Sequence, residues 1–173
     1  MSRSSVLADM GSLRFPAGSL VSQSQFYMTG STASAVTSTT KTNFWSQAFT
    51  PSGNGGKNNT IIYAAITMHL QIYRALGDAR LAFTYSISGD DITNVAEETP
   101  QGSWNFSQYF ASNGSTMHTV NTIQLRKVTL DGTGNAAITY AFYMVNENAS
   151  ADSSWIVNAD NNTTNITFTE VAV

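Results

Sequence analysis

Cysteine is absent from this sequence, so neither a disulfide framework nor a thiolate metal site can hold the fold. Charge is also scarce. Asp, Glu, Lys and Arg make up 11% of the residues, against roughly 25% in ordinary soluble domains, and neutral Ser, Thr, Asn and Gly must supply the surface. The net charge is −3, and the eight basic residues are scattered apart from the adjacent pair Arg126-Lys127. That pattern excludes the concentrated basic stripe by which a domain grips nucleic acid. No apolar run approaches the 18 residues of a membrane span. The segment Met1 to Gly11 lacks the continuous apolar core of a signal peptide, so the chain is expected to be made and left in a cytosol and not inserted into membrane. No stretch carries a 3.6-residue apolar period long enough for an amphipathic helix.

The chemistry-bearing residues are equally thin. His69 and His118 are the two histidines, and each falls on the polar parity of an expected strand. No serine lies in Gly-X-Ser-X-Gly, the turn that exposes a hydrolase nucleophile. The adjacent carboxylates Asp90-Asp91 and Glu97-Glu98 point to opposite sides of an extended backbone, so adjacency makes no acid–base dyad. Gly55-Gly56-Lys57 lacks a phosphate loop's first glycine, because Pro51 stands there, and its hydroxyl, because Asn58 follows the lysine. Asp131-Gly-Thr-Gly134 lacks the spaced oxygen ligands of a calcium loop. No catalytic residue, cofactor site or metal site is expected, and the chain reads as a non-enzyme.

What remains is a series of strands. Ile61 to Ile72 alternates cleanly, with Ile62, Ala64, Ile66, Met68, Leu70 and Ile72 on one face and Tyr63, Thr67, His69 and Gln71 on the other. Arg80 to Ser88 and Asn165 to Val171 repeat the period of two. Ile123 to Val145 reads as a hairpin turning at Asp131-Gly-Thr-Gly134. Its first arm changes parity between Leu125 and Val128, which predicts a β-bulge at Arg126-Lys127. Its second arm is apolar on both faces, which predicts a central strand covered on both sides. About eight strands make the expected fold an all-β, antiparallel jelly-roll sandwich over residues 36–173.

Residues 1–35 show no sustained period and are broken by Pro16 and Gly18, so an extended arm with one short strand at Leu20–Met28 is expected. Leu13, Phe15, Phe26, Tyr27 and Met28 are the arm's candidates for attachment to a partner. Tyr63 and Tyr143, on outer strand faces more aromatic than a solvated face requires, are candidates for a subunit contact. Trp104, Phe106, Tyr109 and Phe110, interleaved with Asn, Ser and Gln, suit glycan recognition or an intersubunit contact.

From about Asn59 to Val171 the order of segments resembles the C1q/TNF-like jelly-roll heads of trimeric proteins, among them bacteriophage structural proteins. The likeness lies in Thr60-Ile-Ile-Tyr-Ala-Ala, Leu81-Ala-Phe-Thr-Tyr-Ser-Ile-Ser-Gly-Asp, Val120-Asn-Thr-Ile-Gln-Leu, Ala137-Ile-Thr-Tyr-Ala-Phe-Tyr and Thr164-Asn-Ile-Thr-Phe-Thr-Glu-Val. It implies a homotrimer carried in the virion, attached through its arm to capsid or tail proteins as a decoration protein. The alternative it implies is a small tip that binds a host receptor or surface glycan.

Overall fold

A computed structural model describes residues 17–30, 32–35, 40–52, 60–74, 77–98, 105–110, 115–131, 136–146, 153–158 and 163–173. Within them the chain forms twelve strands: β1 (Leu20–Tyr27), β2 (Thr32–Ala35), β3 (Thr42–Phe49), β4 (Thr60–Arg74), β5 (Gly77–Gly89), β6 (Val95–Glu98), β7 (Asn105–Phe110), β8 (Ser115–Gln124), β9 (Val128–Thr129), β10 (Ile138–Asn146), β11 (Ser153–Val157) and β12 (Asn165–Ala172). Every pairing between them is antiparallel.

Several strands lie end to end, so the twelve collapse into eight rows. In the first sheet the long β4 carries β12 and β11 in succession on one edge and β8 and β9 on the other, with β1 and β2 beyond β12 and β11. In the second sheet β5 carries β10, then β3, on one edge, and β6 and β7 on the other. Numbered along the chain, rows 1, 8, 3 and 6 form the first sheet and rows 2, 7, 4 and 5 the second. Every connection between successive rows but that from row 4 to row 5 changes sheets, which is the doubled Greek key of a jelly roll. The expected eight strands are these rows.

Alternation drives the assembly. On β12 each second residue, from Ile166 to Ala172, is buried and its neighbours are half-exposed. The core holds Phe44, Phe83, Phe142 and Trp155 at one end, with Phe44 edge-on to Trp155 at 6.0 Å across the sheets. Elsewhere Phe49 stacks on Phe168 at 4.8 Å, and Tyr140 also packs on Phe168. Each such ring removed from water contributes about 1.5–3 kcal/mol.

The bulge at Arg126-Lys127 is present. Gln124 faces Ala65 and Val128 faces Ile62, so four steps along one strand match three along the other. The extra residue turns Val128 and Leu130 back into the core beside Ile123 and Leu125. The hairpin expected for residues 123–145 is corrected: β8 and β9 pair with β4 in the first sheet, whereas β10 lies between β3 and β5 in the second. Asp131 leads into a crossover between sheets. Its N–H donates to the Asp91 carbonyl at 2.6 Å, and the Ala136 N–H donates to the Asp91 carboxylate at 2.9 Å. β10 is central, as expected, but its outer residues Thr139, Ala141, Tyr143 and Val145 are half-exposed rather than covered.

The crossover lands on Gly89, opposite Ile138. A Cβ there would lie 2.9 Å from the Ala137 carbonyl oxygen, a backbone atom that cannot turn aside. Gly89→Ala is therefore expected to lower unfolding free energy by about 1–3 kcal/mol, read as an earlier urea midpoint at unchanged slope.

Residues 20–27, the short strand expected within the arm, and residues 32–35 are both strands of the first sheet. A buried carboxylate ties β1 in place. Glu170, fully buried on β12, accepts from the Ser22 hydroxyl at 2.9 Å and the Ser52 N–H at 3.0 Å.

Candidate functional site

The bulge does more than restore register. By expelling Arg126 and Lys127 from the ladder it sets the chain's one adjacent cation pair on the side of the sandwich where β6 lies across from β8 and β9. Three groups then lock the two sheets together there. The Tyr85 hydroxyl, on β5, donates to Glu98 Oε1, on β6, and accepts from the Arg126 N–H at 2.9 Å. Arg126 Nη1 reaches Glu98 Oε2 at 3.0 Å. The guanidinium is thus held at its backbone and at its tip. Because the pair is part-exposed, solvent screens it, and its worth lies in positioning more than stability.

Two clefts flank this lock. One, of about 900 Å³, is lined by Tyr63, Tyr85, Glu98, Gln124, Leu125, Arg126 and Lys127. The other, of about 410 Å³, runs past Thr93, Asn94, Val95 and Ala96 to the far side of Arg126 and Lys127. An aromatic face, an amide, a carboxylate and two cations meet in one concave place. Chemically that arrangement binds; it has no activated nucleophile and no metal set. Among the described residues no group of three His, Asp or Glu is arranged to hold a metal ion. Among them, too, no helix is long and apolar enough to cross a membrane.

Two tyrosine hydroxyls beside this region resist ionisation. Burial, then the bond to Glu98, pushes Tyr85 well above its ordinary value, and burial does the same to Tyr140, whose hydroxyl has no partner among the described residues. A folded-state pKa raised above the unfolded value of about 10 contributes stability that is complete below pH 10 and is lost as pH rises beyond it. Stability is therefore expected to fall above about pH 10, and the fall should flatten in the double variant Tyr85→Phe with Tyr140→Phe. Denaturant midpoints taken from pH 8 to 11.5 check both. At neutral pH Tyr140→Phe alone should cost less than about 1 kcal/mol, since it removes a buried hydroxyl that lacks a partner.

The residues singled out from sequence meet different fates. Leu13, Phe15 and Trp104 lie outside the described residues. Met28 is buried in the chain's own core and Phe26 packs edge-on against Phe168 at 5.8 Å. Both are thus used within the domain, because β1 joins β12. Tyr27 is 56% exposed. Phe106, Tyr109 and Phe110 stand on β7, at register positions opposite Leu81, Asp78 and Gly77. Tyr63 and Tyr143 do not share a face: Tyr63 is outward on the first sheet and lines the larger cleft, while Tyr143 is outward on the second, opposite Thr84. Both histidines are on the outer face of the first sheet, where the His118 ring lies 3.4 Å from the Gln71 amide.

That outer face is itself a feature. The outward residues of β1 (Gln23, Gln25, Tyr27), β12 (Asn165, Thr167, Thr169), β4 (Tyr63, Ala65, Thr67, His69, Gln71) and β8 (His118, Val120, Thr122, Gln124) include no Asp, Glu, Lys or Arg. Cross-strand bonds stiffen it, among them Thr67 to Thr122 at 2.9 Å and Gln25 to Asn165 at 3.0 Å. Among the described residues all five exposed large apolar side chains, Leu20, Tyr27, Tyr63, Val120 and Val173, lie in this sheet's strands or directly after β12.

No family model matches this chain, the C1q/TNF-like family included, and no curated protein matches it. Among solved structures it is similar to a chain of infectious bursal disease virus, Gt strain, at 13% identity and a TM-score of 0.40, covering 90% of this chain and 39% of that one. It is also similar to the CBM22-1 xylan-binding domain of Paenibacillus barcinonensis Xyn10C, at 10% identity and 0.32, covering 91% of this chain and 96% of that domain. The D431N mutant VP2 protein of infectious bursal disease virus, from derived T=1 particles, is a third, at 10% identity and 0.33, covering 90% and 41%. The chain thus spans about two fifths of the virus chains it is similar to.

Proposed function

We propose that this chain is a non-enzymatic structural component of a virus particle, a jelly roll that associates as a homotrimer and attaches to a bacteriophage capsid or tail. The observation that carries self-association is the uncharged, hydrogen-bonded outer face of the first sheet, with the exposed apolar residues gathered in its strands. Burying neutral groups that already satisfy one another costs little desolvation, whereas burying charges would cost several kcal/mol each. The face is wide enough to divide. Tyr63 belongs to the cleft end, while Thr67 to Gln71, Val120 and Tyr27 lie about 13 Å or more further along β4 and form the contact. The resemblance of the segment order to trimeric virion heads supports the location.

Attachment falls to the residues before β1, including Leu13 and Phe15. Because β1 belongs to the sandwich, the testing deletion stops at residue 16. The truncated protein is expected to fold and to trimerise but to lose co-sedimentation with particles. Wild-type occupancy on particles would remove the segment from the attachment role.

A second reading, a saccharide- or receptor-binding tip, is favoured by the larger cleft with Tyr63, Gln124 and the positioned Arg126.

A further inference from the structure

We infer that the larger cleft is a site for an acidic saccharide, one whose sugar ring lies on Tyr63 and whose carboxylate is taken by Lys127 and Arg126. The inference rests on the saccharide-binding reading and names both its place and its ligand class.

The first reason is charge. The chain carries a net −3, yet the cleft wall counts two cations, Arg126 and Lys127, against the single carboxylate of Glu98. An anion approaching this protein therefore finds a local attraction here that the molecule as a whole does not offer. A second reason is preorganisation. Glu98 meets Arg126 at Nη1, and a guanidinium has five N–H donors in a fixed fork, so donors remain on a group whose orientation is already set. Holding it in place beforehand removes part of the ordering cost of binding. Lys127, the next residue around the bulge, is exposed, and a lysine's ammonium on its four-carbon stem can close on the same anion.

The third reason is the platform. Tyr63 is 42% exposed, so its ring is available, and it is set among hydrogen-bonding partners suited to sugar hydroxyls: the Gln124 amide and the remaining lone pairs of Glu98. An aromatic ring beside fixed polar groups recognises a sugar by its apolar face and its hydroxyls together. A volume of about 900 Å³ accommodates a short oligosaccharide. Neutral sugars would leave the cations unused, and a simple anion would leave the ring unused.

Calorimetric titration of the full chain tests this, with an oligoglucuronate tetrasaccharide as probe and a neutral β-glucan tetrasaccharide and inorganic sulfate as comparisons. The expected result is binding of the oligoglucuronate at least tenfold tighter than either comparison, weakened roughly tenfold by Lys127→Gln and by Tyr63→Ala. Both variants alter exposed groups and should keep the wild-type melting profile. No heat with oligoglucuronate at millimolar concentration, equal binding of sulfate, or affinity unchanged in both variants would overturn the inference. Binding of the neutral sugar that both variants retain would keep a saccharide-binding role for the chain while refuting this site.

Discussion

Asn158→Ala is expected to lower unfolding free energy by about 3 kcal/mol, a large effect for one small side chain. Asn158 is buried and holds a positive φ of 63°, a conformation that costs ordinary residues about 1 kcal/mol and that Asn tolerates. From that position it joins four segments. Its amide donates to the carbonyls of Met28 at 3.0 Å and Gly30 at 2.7 Å, beyond β1, and its Oδ1 accepts from the Thr164 N–H at 2.6 Å, before β12. Its own N–H donates to the His69 carbonyl of β4 at 3.0 Å. Alanine would strand the Met28 carbonyl and the Thr164 N–H in a buried place, at about 1–3 kcal/mol for each group that water cannot reach, and would also lose the part-buried bond to Gly30. Two companions separate the causes. Asn158→Gly relieves the backbone and should recover about 1 kcal/mol relative to alanine, whereas Asn158→Asp faces a carboxylate oxygen toward two carbonyls and should be no better than alanine. Urea midpoints rank the three, and an alanine variant as stable as wild type would contradict this role.

The second large effect concerns association. Thr67→Lys is expected to convert the proposed trimer to monomers at micromolar concentration while leaving the monomer's stability within about 0.5 kcal/mol. Thr67 is half-exposed between Asn165 and Thr122 on the first sheet's outer face, so a lysine there can extend into water in the monomer. In the trimer it would be trapped against a neutral surface with no acid to meet it. An uncompensated buried charge costs about 3–5 kcal/mol, and each 1.4 kcal/mol is tenfold in affinity. Sedimentation velocity reads the change directly. The matching substitution on the other outer face, Ala141→Lys, should leave the trimer intact.

Much of this architecture is legible in the residues. The alternations of β4, β5, β10 and β12 name the core, and the parity change between Leu125 and Val128 requires the bulge that the register contains. Pairing is another matter. Asp131-Gly-Thr-Gly134 reverses or redirects a chain equally well, and whether the next strand returns beside its predecessor or crosses to the opposite sheet depends on distant partners, here Asp91 and Gly89. Short strands such as β6 and β9 carry too few residues to show a period. The candidate site was hidden for the same reason, since Tyr85, Glu98 and Arg126 come together only through the closure of two sheets. One signal was present: Tyr85 falls on an inward parity, and a buried tyrosine hydroxyl needs a partner.

The most direct test of the account is the native mass of the wild-type chain at micromolar concentration, measured by native mass spectrometry. The proposed trimer predicts three times the monomer mass, with no trimer remaining for Thr67→Lys. A wild-type chain that stays monomeric up to roughly 100 μM, a range where even a weak contact of about 5–6 kcal/mol would show, would contradict it.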